Sequence, residues 1–266
     1  PPPLPVSTCH VRLPTESKVQ FGPRLMARMD LSELSAEDRA SLYRATRQFD
    51  AALDIYELEL SDHETHPQEA EYRGLTINYL RTAVALDNST ARVLEFLKAY
   101  AQRSDVPYYL KQRFAYWREV LQNNTAALRQ APTLAFADSL FERATRLSLT
   151  PGSRIAAVED FLAARLMRSY LSNNPELPGD IRASIYCRLA VIALRTAAAA
   201  PAVPEMEMLL VAAIQAAPDT ATARSAYALL EEHGYIHDEH LAGEIESRIL
   251  VDMQALKLQA GIRVQN

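Results

Sequence analysis

Glycine is nearly missing from this chain, with 7 residues in 266, while alanine, leucine, glutamate and arginine abound. Tight hairpins and phosphate-cradling loops depend on glycine, so the sequence has little room for either. The abundant residues are strong helix formers: alanine fixes no side-chain rotamer, and the straight-chain residues lose few. The expectation is an all-α fold. An apolar fraction of 48% with 23% charged residues supplies enough buried surface for a folded chain.

Helical periodicity becomes regular from Ser35, where Ser-Ala-Glu-Asp at 35–38 has the form of an N-terminal capping pattern. Leu42, Phe49, Ala52, Leu53, Tyr56 and Leu60 mark an apolar stripe over two short helices. Pro67 opens the next helix, with Tyr72, Leu75, Tyr79, Leu80 and Val84 on its stripe and a break at 86–90. Leu94, Phe96, Leu97 and Tyr100 belong to the helix after that. Pro107 opens another carrying Tyr109, Leu110, Phe114, Trp117, Val120 and Leu121, with an interruption expected at Asn123-Asn124-Thr125. Further helices are predicted over 133–148, 153–172, 180–198, 204–216, 220–233 and 238–260. Thr150, Asp180 and Asp238 are the expected N-caps, and Gly234 the residue past a helix end.

Residues 1–33, with PPPLP at 1–5, Pro14 and Pro23, read as an irregular N-terminal arm. Residues 34–266 form the helical domain. The link AAAAPAV at 197–203 is a candidate hinge between two halves, near 197–204. Short links favour antiparallel neighbours, so consecutive helices should stack as hairpins.

The stretch YRATRQFDAALDIYELEL, 43–60, resembles a tetratricopeptide (TPR) repeat across its helix-turn-helix junction. Tyr43, Phe49, Ala52 and Tyr56 fall at that family's large–aromatic–small–aromatic spacing. The small residue lets two helices approach, and the aromatics fill the gap between hairpins. Ala213 and Pro218 in AAIQAAPD, 212–219, resemble the end of another such repeat, and YLRTAVALD at 79–87 is a fainter echo. The departures are Arg47 where a turn glycine is usual, Glu59 in place of a second small residue, Glu64 in place of proline, and no running period of 34. The resemblance implies a TPR-like α-α superhelix that binds a peptide or protein along its surface, without catalysis. A non-repetitive α-helical bundle is the alternative.

Charge is unevenly distributed along the chain, whose net charge is −5. Residues 51–90 hold 2 basic and 8 acidic side chains, 91–170 hold 12 and 7, and 171–266 hold 7 and 12. A basic middle between acidic flanks can orient an association, and it makes an RNA-binding helical protein the second functional reading. Within it, PYYLKQRFAYWREV at 107–120 mixes basic and aromatic residues. Phe114 and Trp117 fall on the buried stripe. Tyr108, Lys111 and Arg118 fall on the other side and Tyr116 on a flank, which makes these four the candidate partner-binding residues.

Two histidine pairs, His63/His66 and His237/His240, raise the question of a metal. His66 precedes a proline and is steered out of the helical region, so the first pair lies in a turn. His237 falls before its helix, and Asp238 and Glu239 suit a helix N-terminus for electrostatic reasons. Glu159 and Asp160 are adjacent, so a helix points them apart and away from a shared ion. No phosphate loop, nucleophile elbow, calcium loop or zinc signature occurs. A metal-dependent all-α enzyme is therefore the third reading, with neither metal nor cofactor expected, and a non-enzymatic protein-interaction scaffold is the first.

Cys9 and Cys187 form no CxxC pair, and Cys187 reads as a small core residue. No apolar run reaches the 18 residues of a membrane span. The first residue is Pro1 rather than Met, so a cytoplasmic location is only the default expectation and export stays open. Leu241, Ile245, Ile249, Met253 and Leu256 give the last helix a stripe that could cap the superhelix or pair with a second copy in a homodimer.

Overall fold

A computed structural model describes residues 34–62, 69–86, 89–104, 106, 108–128, 133–149, 157–196, 203–233, 253 and 255–262. The N-terminal arm, Cys9, His10, the histidines at 63, 66, 237 and 240, Gly234, the caps expected at Thr150 and Asp238, and the hinge at 197–202 lie outside these residues. Among the described residues the fold is all-α, with no strand.

The helices are α1 (Ala36–Ala45), α2 (Phe49–Ser61), α3 (Glu69–Leu80) running into a π-helical turn (Arg81–Leu86), α4 (Thr90–Ala101), α5 (Tyr108–Leu128), α6 (Leu134–Ser148), α7 (Ala157–Asn173), α8 (Gly179–Arg195), α9 (Val203–Ala216) and α10 (Ala221–His233). Ser35 caps α1 as its sequence suggests, its side chain accepting from the Asp38 amide at 3.1 Å. Thr133 does the same for α6 and Thr220 for α10.

Two local expectations are corrected. Asn123-Asn124-Thr125 does not interrupt α5, which continues to Leu128. Asn124 Nδ2 donates to the Val120 carbonyl at 2.6 Å and Thr125 Oγ1 to the Leu121 carbonyl at 2.8 Å, so both polar side chains bond back along the helix. Asp180 is not the cap of α8: Pro178 holds that position and Asp180 lies in the first turn, where its charge faces the positive end of the helix dipole.

Consecutive helices pack on one another, α1 on α2, α4 on α5, α6 on α7, α8 on α9 and α9 on α10, and α10 also touches α8. The start of α8 lies close against α9, where a Cβ on Gly179 would lie 2.1 Å from the Ala216 carbonyl oxygen. Helix α7 also reaches beyond its chain neighbours, packing on α5, on α3 and on the π-helical turn. Arg165 of α7 donates to Thr90 Oγ1, 75 residues upstream. The contacts of α7 with α3 and the π-helical turn skip the α4–α5 hairpin, which a stack in which each hairpin touches only the next would not do. The reason lies in α7 itself, which is buried nearly all round: Val158, Phe161, Leu162, Ala163, Ala164, Leu166 and Met167 are covered, and so are Glu159 and Asp160.

The core of the first half is a chain of rings, Tyr79, Phe96, Tyr100, Phe114 and Trp117, with successive centroids 4.8 to 5.5 Å apart. The Tyr100 hydroxyl donates to the Leu60 carbonyl at 2.8 Å, satisfying its polar end. At the other end of the chain, Met253 and Leu256 pack on the core and Ala260 is fully buried. The Asp219 amide donates to the Gln259 carbonyl at 2.9 Å, fastening this segment to the α9–α10 turn. Gly261 has φ +73°, and a Cβ there would meet Asp219 Oδ1 at 2.8 Å, so the position needs glycine twice over. The described part of the last helical stripe thus covers the chain's own core. Leu241, Ile245 and Ile249 lie outside the described residues.

Candidate functional site

Helix α5 packs on α4 and α7 through Leu110, Phe114, Trp117, Val120 and Leu121, all buried. The positions between these residues form its outer face. Gln112, Ala115, Tyr116, Arg118, Glu119 and Gln122 line a shallow groove there.

The four residues singled out in the sequence do not behave alike. Tyr108 stands at the start of the helix, 74% exposed, its hydroxyl accepting from Gln112 Nε2 at 2.8 Å. Lys111 and Arg118 are partly exposed and, among the described residues, neither takes part in an ion pair. Tyr116 is different: it packs on the core, and its hydroxyl donates to Glu159 Oε1 on α7. Tyr116 is therefore the wall of the groove rather than a free contact. Burial and the neighbouring carboxylate push its pKa up to about 12.

Glu159 was not foreseen as part of this region. Its side chain is fully buried, and Arg143 of α6 reaches the same Oε1 at 3.3 Å, while Oε2 has no hydrogen-bond partner. Burial raises its pKa, against the pull of Tyr116 and Arg143. Asp160 next to it turns to α8, where Arg195 Nη2 donates at 2.5 Å. Its carboxyl is pushed up to about 6 by burial, which outweighs the attraction of Arg195. Arg195 also donates to Thr145 Oγ1 at 2.7 Å and lies over the Phe141 ring. The two acids diverge as adjacent helical residues must. The signal for their burial was the apolar run on both sides of them, which leaves a polar residue no wet face.

Part of the basic middle is taken up in internal pairs. Arg92 binds Asp50, Asp54 and Glu57 on α2, Arg168 binds Glu205 on α9, and Arg143 binds Glu159. Most of these pairs join the basic stretch to its acidic flanks, so much of the charge asymmetry in the sequence serves the fold's own helix contacts. Among the described residues no three His, Cys, Asp or Glu side chains are grouped as metal ligands, and no described helix is long and apolar enough to cross a membrane. Cys187 is a free, partly buried thiol, pushed up to about 11 by burial and so held in its unreactive form.

No protein-family profile, curated protein or solved structure matches this chain.

Proposed function

We propose that this chain is a non-enzymatic helical scaffold that binds an acidic protein segment along the outer face of α5. The observation that carries the reading is the contrast between Lys111 and Arg118, which have no ion pair among the described residues, and Arg92, Arg143 and Arg168 of α4, α6 and α7, which are tied to carboxylates of the same chain. An unmatched cation on a face beside an exposed tyrosine suits a partner that brings carboxylates and apolar surface. Ala115, between the two cations, lets a partner backbone come close. Two such cations make a short stripe, too few for the phosphate density that sustains nucleic-acid binding at physiological salt, and this favours a protein segment over RNA. The TPR-like resemblance of 43–60 supports the same class of function, since hairpin stacks of that kind present preformed surfaces.

A photo-crosslinking amino acid placed at Ala115, used in cell extract with and without nuclease, tests this. The expected product is a protein adduct that survives nuclease and disappears in the Lys111→Glu/Arg118→Glu variant, whose helical circular dichroism is unchanged. An adduct that nuclease removes, or one indifferent to the charge reversal, overturns the proposal.

A further inference from the structure

Four elements bring a second group of charges together away from the α5 groove. Arg81, the first residue of the π-helical turn, donates to Glu205 Oε2 at 2.8 Å, and Arg168 of α7 donates to Glu205 Oε1 at 2.5 Å. One carboxylate of α9 thus serves two guanidinium groups. Arg44 of α1 is close enough to Arg81 for the two like charges to act on each other, yet its own partner is a neutral amide oxygen, Asn78 Oδ1, at 3.0 Å. The amide nitrogen of Asn78 donates at 3.2 Å to Glu37, which is exposed.

Among the described residues Arg81 shares its one carboxylate, Glu205, with Arg168. Its side chain is only 15% exposed, and burial, with Arg44 and Arg168 adding to it, lowers its pKa more than Glu205 restores it. Buried charges are ordinarily matched by partners, because the loss of hydration is costly. Beside this cluster lies the hydroxyl of Tyr56, fully buried, next to Ser41 and within the field of Arg44, Glu37 and Arg81. Access is available from the rim, where the Arg168 and Glu205 side chains are 33% and 32% exposed. The backbone beneath is a π-helical turn, a form that recurs where helices build functional sites.

We propose that Arg44, Arg81 and Arg168 form a binding site for a phosphate group, with Glu205 as the internal carboxylate the phosphate displaces. Phosphate fits better than a second carboxylate: it spreads its charge over several oxygens, and guanidinium forks bind such oxygens in pairs. The site is independent of the α5 groove, and either can hold without the other.

The test uses the full chain and two probes, inorganic phosphate and β-glycerol phosphate, with sodium chloride holding the ionic strength constant. Thermal unfolding should show a saturable rise in Tm with phosphate, and the phosphorus NMR line of the probe should broaden on binding. Glu205→Gln, which removes the competing charge, should tighten the apparent Kd about tenfold, and Arg168→Met should weaken it about tenfold. Arg118→Met, on the groove of α5, should leave it unchanged. Tighter binding of the ester than of inorganic phosphate assigns the site to a phosphorylated small molecule, and equal binding assigns it to the free ion. Absence of saturable line broadening with the unaltered protein overturns the site, whatever the variants do. So does an affinity indifferent to both Glu205→Gln and Arg168→Met.

Discussion

Arg92 grips both carboxylate oxygens of Glu57, with Nε 2.9 Å from Oε1 and Nη2 3.0 Å from Oε2, and so ties α4 to α2. The Tyr79 hydroxyl donates to the same Glu57 Oε1 at 3.0 Å, adding α3 to the joint. Arg92 also meets Asp54 at 2.5 Å and Asp50 at 3.4 Å, both far more exposed. A two-toothed pair that is three-quarters shielded from solvent holds helices in register in a way a single surface pair does not. Arg92→Met should therefore lower unfolding stability in urea by about 1–3 kcal/mol, since it leaves the Glu57 carboxylate without its cation and only the Tyr79 hydroxyl as a partner. Asp54→Asn should cost under about 1 kcal/mol. Equal losses for the two would remove the joint from the account of this fold.

Arg47 is a non-glycine residue with a positive φ. It stands where the repeat pattern of 43–60 would have a turn glycine, and it adopts φ +60°, the left-handed region. The turn it makes is closed by the Gln48 amide on the Tyr43 carbonyl at 2.8 Å. A side chain in that region is strained by about 1–2 kcal/mol, part of which glycine gives back through its freer unfolded chain. Arg47→Gly should stabilise the protein by up to about 1 kcal/mol, and Arg47→Ala should not, as urea midpoints would register.

Gly179 is required by packing alone, because a Cβ would enter the Ala216 carbonyl oxygen at 2.1 Å. Backbone atoms cannot turn aside as a flexible side chain can. Gly179→Ala should cost about 1–3 kcal/mol despite the better helix propensity of alanine. A stabilised variant in thermal melts would show that α8 and α9 do not meet so closely.

The Asp160–Arg195 pair should make stability depend on pH in a definite direction. The folded-state pKa of Asp160, about 6, lies above its ordinary 3.8. The folded state therefore holds this proton more tightly, and the group's contribution to stability falls as pH rises from about 4 to about 6, then levels. Arg195→Met removes the opposing cation and drives the carboxyl further up. Its cost should be roughly 3–5 kcal/mol near neutral pH, where the orphaned carboxylate stays buried, and clearly smaller at about pH 5, where Asp160 is protonated in both proteins. Denaturant unfolding at the two pH values decides it, and an equal cost at both would mean that Asp160 is not the group responsible.

Much of the local structure was legible in the residues. The Ser35 cap, the paired short helices over 36–61 and the stripe of Leu110, Phe114 and Trp117 all follow from interactions within a few residues, which a linear sequence records directly. The outer placement of Tyr108, Lys111 and Arg118 follows from the same period. Even Asn124 and Thr125 show the limit of that kind of reading, because their side chains can bond either to water in a turn or back to the carbonyls of a continuing helix.

What the sequence alone determined is the all-helical character and which side of each helix is apolar. Both are properties of one element at a time, set by propensity and spacing. Only the tertiary structure decided where α7 lies, which carboxylates Arg92, Arg168 and Arg195 meet, and that Glu159, Asp160 and Tyr56 lose their water. Those outcomes depend on which helix faces which across dozens of residues. Coulomb attraction between a basic stretch and acidic flanks is the same, read along the chain, whether its partner is another molecule or the next helix.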